Sequence, residues 1–247
     1  MMEPLVKWLH KLGDHQHAPA FPQQIDPSMG DLICVGGELC PAVVIQAYSM
    51  GLFPWTGEAP IPWYCPHPRL ILPPLLFHAS RNLRRLARSK QYQVRFDCDF
   101  PTVMKHCAAI SRRGNPGTWI TPNMIETYTQ LYGQGIGHCV TVHEQGEMVG
   151  GLYGLSLGRA FFGESMFTQR SNCSKLALYA LCDQLARRDF AFIDCQQVTP
   201  HLVSMGAIPI GRRPYLNLLQ QALTDAAPPR SWRSWIAFSE HTPDENG

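Results

Sequence analysis

The chain has 247 residues, 45% of them hydrophobic and 16% charged, enough to bury a core in one large domain or two modest ones. A formal net charge of +2 is too small to mark a nucleic-acid binder by bulk charge, so any anionic partner must meet a local patch. Nine cysteines without a C-x-x-C pair argue against a disulfide framework and a zinc ribbon; Met1–His10 lacks a signal-peptide core, no run is long enough to span a membrane, and a cytoplasmic protein is expected.

The first thirty residues are polar and rich in His, Pro and Gln, and an extended path is expected there. Pro41 to Met50 reads as a short helix, with Pro41 at its first position and Gly51 ending it. Prolines then rule out helix through Leu52-Phe53-Pro54-Trp55 and Ile61-Pro62-Trp63-Tyr64, and hold aromatic rings on a rigid path. A boundary is expected near Leu70, dividing the chain into a small domain over 1–69 and a larger one over 70–247.

Ser80 caps a helix that runs to about Ser89. Arg81, Arg84, Arg85 and Arg88 share one of its faces, with no acid among them. Such a face fits an anionic partner as well as it fits a plain solvated surface, and Arg69, Arg112 and Arg113 are expected to extend it. Tyr92–Phe96 reads as a strand and Phe100–Ser111 as a helix. A loop over Arg112–Gly117 leads into Thr118-Trp119-Ile120, and Thr121-Pro122 starts a helix ending at Gly133.

From His138 the hydrophobic period changes to two. Cys139–His143, Met148–Leu157 and Ala160–Phe167 read as an antiparallel meander with turns at Gln145-Gly146 and Gly158-Arg159. A long helix from Ser174 to Arg188 follows, then a strand around Asp194, a short helix from Thr199, a strand near Ile208 and a helix from Pro214 to Ala226. The strand around Asp194 can run parallel to its neighbour. The layout is α+β, a mixed sheet flanked by helices.

Two strands carry a carboxylate that a plain core would not hold. In Phe161-Phe162-Gly163-Glu164-Ser165-Met166-Phe167, alternation places Phe162, Glu164 and Met166 on one face. In Phe192-Ile193-Asp194-Cys195-Gln196, Asp194 and Gln196 share a face with Phe192. Burying an unpaired carboxylate costs several kcal/mol, so each needs a partner or a ligand. The two strands are expected to line one cleft. Trp55 and Trp119, each after a rigid turn, are either packed over a domain seam or form a platform on which a base stacks. Leu152 and Met166 fit a core or an apolar pocket wall.

Three other motifs lead elsewhere. Gly154-Leu155-Ser156-Leu157-Gly158, followed by Asp194 and His201, has the residue order of a hydrolase triad, but here the turn leads into another strand instead of a helix. His143-Glu144-Gln145-Gly146-Glu147 lacks the second His of a zinc-protease helix and sits in a turn. Gly133-Gln134-Gly135-Ile136-Gly137 reads as a helix terminator.

Six motifs then occur in order: Gly36-Gly37-Glu38-Leu39, Ala47-Tyr48 with Gly51-Leu52-Phe53-Pro54-Trp55, Gly117-Thr118-Trp119-Ile120-Thr121, Gly150-Gly151-Leu152-Tyr153-Gly154, Gly163-Glu164-Ser165-Met166-Phe167 and Ile193-Asp194-Cys195-Gln196. Together, from about Phe21 to Leu219, they resemble the leucyl/phenylalanyl-tRNA–protein transferase family. The resemblance implies a small N-terminal domain and a C-terminal domain similar to the GNAT acetyltransferases. It implies transfer of Leu or Phe, and Met less well, from aminoacyl-tRNA to proteins beginning with Arg or Lys, marking them for N-end rule degradation. No cofactor or metal is implied. The family's second pocket methionine stands here as Leu152, a volume-conserving change. Its Asn-Ala-Ser-Lys stands as Asn172-Cys173-Ser174-Lys175, and an acid before the final tyrosine stands as Pro214. The alternative is a GNAT-type N-acyltransferase using a small acyl-CoA, but Gln169–Lys175, where such enzymes carry a glycine-rich pyrophosphate loop, has no glycine. A Ser156 hydrolase and a non-catalytic RNA-binding module are more distant rivals.

On this reading the ester donor is already activated, and holding amine and ester together supplies most of the effect. Asp194 is expected to orient the amine, whether or not it also accepts its proton, with Gln196 fixing Asp194 or the reacting carbonyl. Glu164 is expected to hold an ammonium group of the donor or of the acceptor. Leu152 and Met166 line the side-chain pocket, Trp55 and Trp119 stack the 3′ adenosine, and the arginine face touches tRNA phosphates.

Overall fold

The computed structural model describes residues 19–26, 28–110, 118–224 and 231–238. The expectations for residues 1–18 and for the 112–117 loop, with Arg112 and Arg113, lie outside the described residues. β1 (Leu32–Val35) is a strand where the sequence predicts none, and α1 (Pro41–Ser49) follows with Pro at its first turn. The proline-rich stretch forms the short strands β2 (Phe53–Pro54) and β3 (Pro62–Tyr64), and with β1 they make a sheet in the order β1-β3-β2. Proline fits such short strands because few ladder bonds are lost there.

The second sheet has seven strands: β4 (Arg69–Leu72), β5 (Gln93–Phe96), β6 (Gly137–Glu144), β7 (Glu147–Leu157), β8 (Ala160–Thr168), β9 (Phe192–Gln196) and β10 (Ile208–Ile210). Their order is β10-β4-β9-β8-β7-β6-β5, antiparallel throughout except for the parallel pair β8 and β9. The helices are α2 (Arg81–Arg88), α3 (Phe100–Ala108), α4 (Pro122–Gly133), α5 (Cys173–Ala186), α6 (Pro200–Val203) and α7 (Arg212–Thr224). Ser80, Thr121 and Thr199 accept hydrogen bonds from the first turns of α2, α4 and α6, as their placement before each helix predicts. The fold is thus α+β, a small N-terminal part and a mixed sheet flanked by helices.

The core has two layers. Tyr48, Phe100, Tyr128, Tyr153, Phe162 and Tyr215 pack on the face covered by α1, α3, α4 and α7. Leu152, Phe161, Leu178, Leu181 and Ile193 pack on the face covered by α5, and Trp232 and Trp235 return from residues 231–238 to join them. Each fully buried side chain of this kind stabilises the fold by roughly 1.5–3 kcal/mol.

Two irregularities in the second sheet make room for a site. Between β7 and β8, Gly154 pairs with Gly163 and Tyr153 with Ser165, so Glu164 is an extra residue, a β-bulge. The bulge corrects the expectation that Glu164 and Met166 share a face. Phe162 and Glu164 both meet Tyr48, whereas Met166 packs on the α5 side. The second irregularity is that β8 and β9 pair only from Ala160/Phe192 to Phe162/Asp194. The cavities of the site meet near the point where this pairing stops.

Candidate active site

Two cavities meet at the end of the β8–β9 pairing. The larger is an open cleft of about 560 Å³ whose walls include Trp55, Trp119, Glu164, Gln196 and Thr199. The smaller, about 120 Å³, lies between the sheet and α5 and is mostly apolar, with Leu152, Phe161, Met166, Leu178 and Leu202 among its walls. Leu152 and Met166 are a directly opposed cross-strand pair. Glu164, Cys195 and Gln196 border both cavities and form the seam between them.

Glu164 is half-buried at that seam. Its Oε1 accepts a hydrogen bond from the Tyr48 hydroxyl at 2.7 Å and from the Gln196 amide at 2.9 Å. The Tyr128 hydroxyl lies 2.8 Å from the Tyr48 oxygen and 3.5 Å from Oε2. Burial pushes the Glu164 carboxyl up to about 7, against the opposing hydrogen bond from Tyr48. Burial, and then the nearby Glu164 charge, push Tyr48 and Tyr128 well above the usual phenol value, so both stay protonated as donors. Glu164 can therefore exist as acid or as carboxylate near neutral pH.

Asp194 is placed differently. It is wholly buried, and Arg69 grips it through two bonds, Nε to Oδ1 at 2.8 Å and a terminal nitrogen to Oδ2 at 2.6 Å. Tyr215 donates to Oδ2 at 2.7 Å and the backbone N–H of Gln196 to Oδ1 at 2.9 Å. Four donors occupy its two oxygens, and it is not among the cleft walls. Of its four donors, Gln196 is the one that also walls the cleft. The Arg69–Asp194 pair corrects the expectation for Arg69. It does not extend the basic surface but is buried, its guanidinium 4.8 Å from the Phe53 ring and 4.6 Å from the Tyr215 ring. Alternation on β9 holds, since Phe192 and Asp194 both meet Tyr215.

The remaining expected residues divide cleanly. Trp55 is 41% exposed and packs on Tyr64, 5.2 Å between ring centroids, while Trp119 is half-buried on the same cleft. Arg81, Arg84, Arg85 and Arg88 are all exposed on α2, and none of them forms an ion pair among the described residues. They border a shallow depression apart from the cleft. Ser156 is buried within β7 while His201 is exposed on α6, so the hydrolase arrangement does not form. The sequence reading missed Tyr48, Tyr128, Arg69 and Tyr215 as parts of the site. The tyrosine of the Ala47-Tyr48 motif is the one signal that pointed to it. Among the described residues, no cluster of His, Cys, Asp or Glu could hold a metal ion, and no helix is long and apolar enough to cross a membrane.

Comparison with known proteins identifies the chain. A family model described as leucyl/phenylalanyl-tRNA protein transferase matches residues 71–220, and a model of that family's N-terminal domain matches residues 37–67. The leucyl/phenylalanyl-tRNA–protein transferase of Desulfatibacillum aliphaticivorans is 48% identical over 202 residues, covering 80% of this chain and 87% of that protein. Its counterpart from Azoarcus sp. (strain BH72) is 44% identical over 222 residues, covering 89% and 94%. A GCN5-related N-acetyltransferase from Kribbella flavida is a distant structural neighbour, 11% identical with a TM-score of 0.37, covering 58% of this chain and 55% of that one. With a family model matched over more than half of its length and relatives this similar across most of it, the chain belongs to the leucyl/phenylalanyl-tRNA–protein transferase family.

Proposed function

We propose that this protein transfers Leu or Phe from the 3′ end of an aminoacyl-tRNA to the α-amine of proteins that begin with Arg or Lys, marking them for degradation. The observation that carries the reading is the seam: one titratable carboxylate between an apolar pocket and a cleft walled by two tryptophans. An aminoacyl group lays its side chain against Leu152 and Met166 and presents its ester carbonyl at Glu164 and Gln196. The terminal adenosine stacks on Trp55 and Trp119, each base–aromatic stack contributing roughly 1–3 kcal/mol.

The acceptor amine has a reference pKa of roughly 7.7–8.0, close to that of Glu164. Glu164 holds the incoming ammonium and takes its proton, and the freed amine attacks the ester carbonyl carbon. The new C–N bond forms and its nitrogen gives up a second proton, the bond to the ribose oxygen breaks, and of the two protons one passes to that leaving oxygen and the other to solvent. Asp194 acts at one remove, locking Arg69, Tyr215 and the backbone of Gln196 so that the Gln196 amide faces Glu164. The ester is already activated, so the chemistry requires no cofactor. The four arginines of α2 take tRNA phosphates without reading sequence. All nine cysteines are free thiols, which fits a cytoplasmic enzyme.

The test supplies labelled Phe-tRNA or Leu-tRNA and peptides beginning with Arg, Lys or Asp, with acetyl-CoA as a competing donor. Label on the Arg and Lys peptides alone is the expected result. Transfer from acetyl-CoA and none from either tRNA would overturn the proposal.

A further inference from the structure

The glycines of the central strands differ in why they are glycine. A Cβ built on Gly150 would lie 2.5 Å from the Cys173 side chain, one on Gly151 2.8 Å from the Val140 carbonyl oxygen, and one on Gly154 2.1 Å from the Phe162 carbonyl oxygen. Those three are required by close packing. Gly163 is not. Its φ lies outside the left-handed region, and a Cβ there would meet only the Asp194 carbonyl oxygen at 3.5 Å and Ile193 Cγ2 at 3.7 Å, both ordinary contacts. The fold would accept a side chain at this position.

The space that side chain would enter is the apolar pocket. Gly163 follows Phe162, the last residue of β8 that pairs with β9, and is itself a pocket wall. By strand alternation its side-chain direction is that of Phe161, toward α5. Ile193, against which the Cβ would rest, also lines the pocket. The cavity is only about 120 Å³, so one methyl group would take a material share of it.

We infer that Gly163 is a specificity-determining residue, left without a side chain so that the pocket admits the larger aromatic donor as well as leucine. The inference rests on the proposed aminoacyl transfer. Phenylalanine needs more of the cavity than leucine does, so a methyl group here should exclude it first. The strength of such discrimination is about ten- to hundredfold per methylene-sized change.

The experiment compares kcat/KM for Phe-tRNA and Leu-tRNA in Gly163→Ala with that of the unaltered protein, together with the thermal unfolding midpoint. The expected result is a loss of Phe transfer about tenfold or more beyond any loss of Leu transfer, with the midpoint unchanged. Adding Leu152→Ala to that variant, which enlarges the pocket elsewhere on its wall, should restore Phe transfer. Equal losses for the two donors, no loss for either, a lowered midpoint, or failure of the second substitution to restore Phe each overturn the inference. If the unaltered protein transfers neither residue, the proposed function falls and this inference with it. If it transfers both and the variant treats them alike, only this inference falls.

Discussion

The two carboxylates on neighbouring strands differ in what surrounds them, and the proposed division of their work rests on that difference. Asp194 is sealed, its oxygens filled by Arg69, Tyr215 and a backbone N–H. Glu164 sits at the seam of two cavities, supported by uncharged donors only, with its carboxyl pushed up to about 7. A carboxylate saturated by a guanidinium, a phenol and a backbone N–H has no lone pair left for a substrate. One solvated by tyrosine and amide groups in partial burial is poised to exchange a proton.

The most forceful way to break the comparison is Asp194→Asn. It leaves the Arg69 guanidinium buried against a neutral amide, and breaking such a pair costs about 3–5 kcal/mol. Urea unfolding should show that loss. Full stability with abolished turnover would instead make Asp194 the reacting group.

Glu164→Gln comes next, and its sign depends on pH. The folded pKa of about 7 exceeds the ordinary value of 4.5, so the folded state favours the neutral acid. That contribution is complete below pH 4.5 and is lost as pH rises through 7. The loss is on the order of 3 kcal/mol, and a glutamine escapes it. The variant should therefore gain stability relative to the parent between pH 5 and pH 8 by roughly that amount, while its turnover falls and no longer rises near neutrality. A pH–rate profile identical to the parent's would place the proton acceptor elsewhere.

Tyr48→Phe sharpens the comparison more gently. It removes the donor that opposes the rise in the Glu164 pKa, so the rising limb of the rate profile should move to higher pH. The lost buried hydrogen bond should cost about 1–2 kcal/mol by denaturant unfolding. The smallest effect on the fold belongs to the paired change Arg84→Gln and Arg88→Gln, within about 0.5 kcal/mol because both are exposed. Its effect should appear in tRNA binding, where the slope of log K against log salt should fall by roughly 2.

How much of this could be read from sequence follows the distance over which each feature is decided. Helices announced by their own caps, such as those after Ser80 and Thr121, and the hairpin turn at Gln145-Gly146 are local and appear where they are expected. Of the residues bordering the cleft and pocket, Trp55, Trp119, Leu152, Glu164, Met166 and Gln196 stand within short, distinctive motifs, whereas Leu178 and Leu202 do not. The Arg69–Asp194 pair joins positions 125 residues apart, and the Tyr48–Glu164 bond positions 116 apart. No periodicity reports such contacts, so Arg69 resembles one more surface charge until the fold closes over it. The bulge at Glu164 was hidden for another reason. One unpaired residue leaves composition unchanged and reverses the facing of every side chain after it.

That reversal works like a compensated frameshift. Upstream of the extra residue, β8 sends Phe162 to the aromatic layer; downstream, it sends Met166 to the opposite side, against Leu152. One strand thus serves two neighbourhoods that meet at Glu164. The pocket can be re-lined, as with leucine at position 152, without re-aiming the carboxylate, and the tyrosines can retune the carboxylate without reshaping the pocket. On the proposed function, substrate range and proton chemistry become separately heritable traits of a single strand.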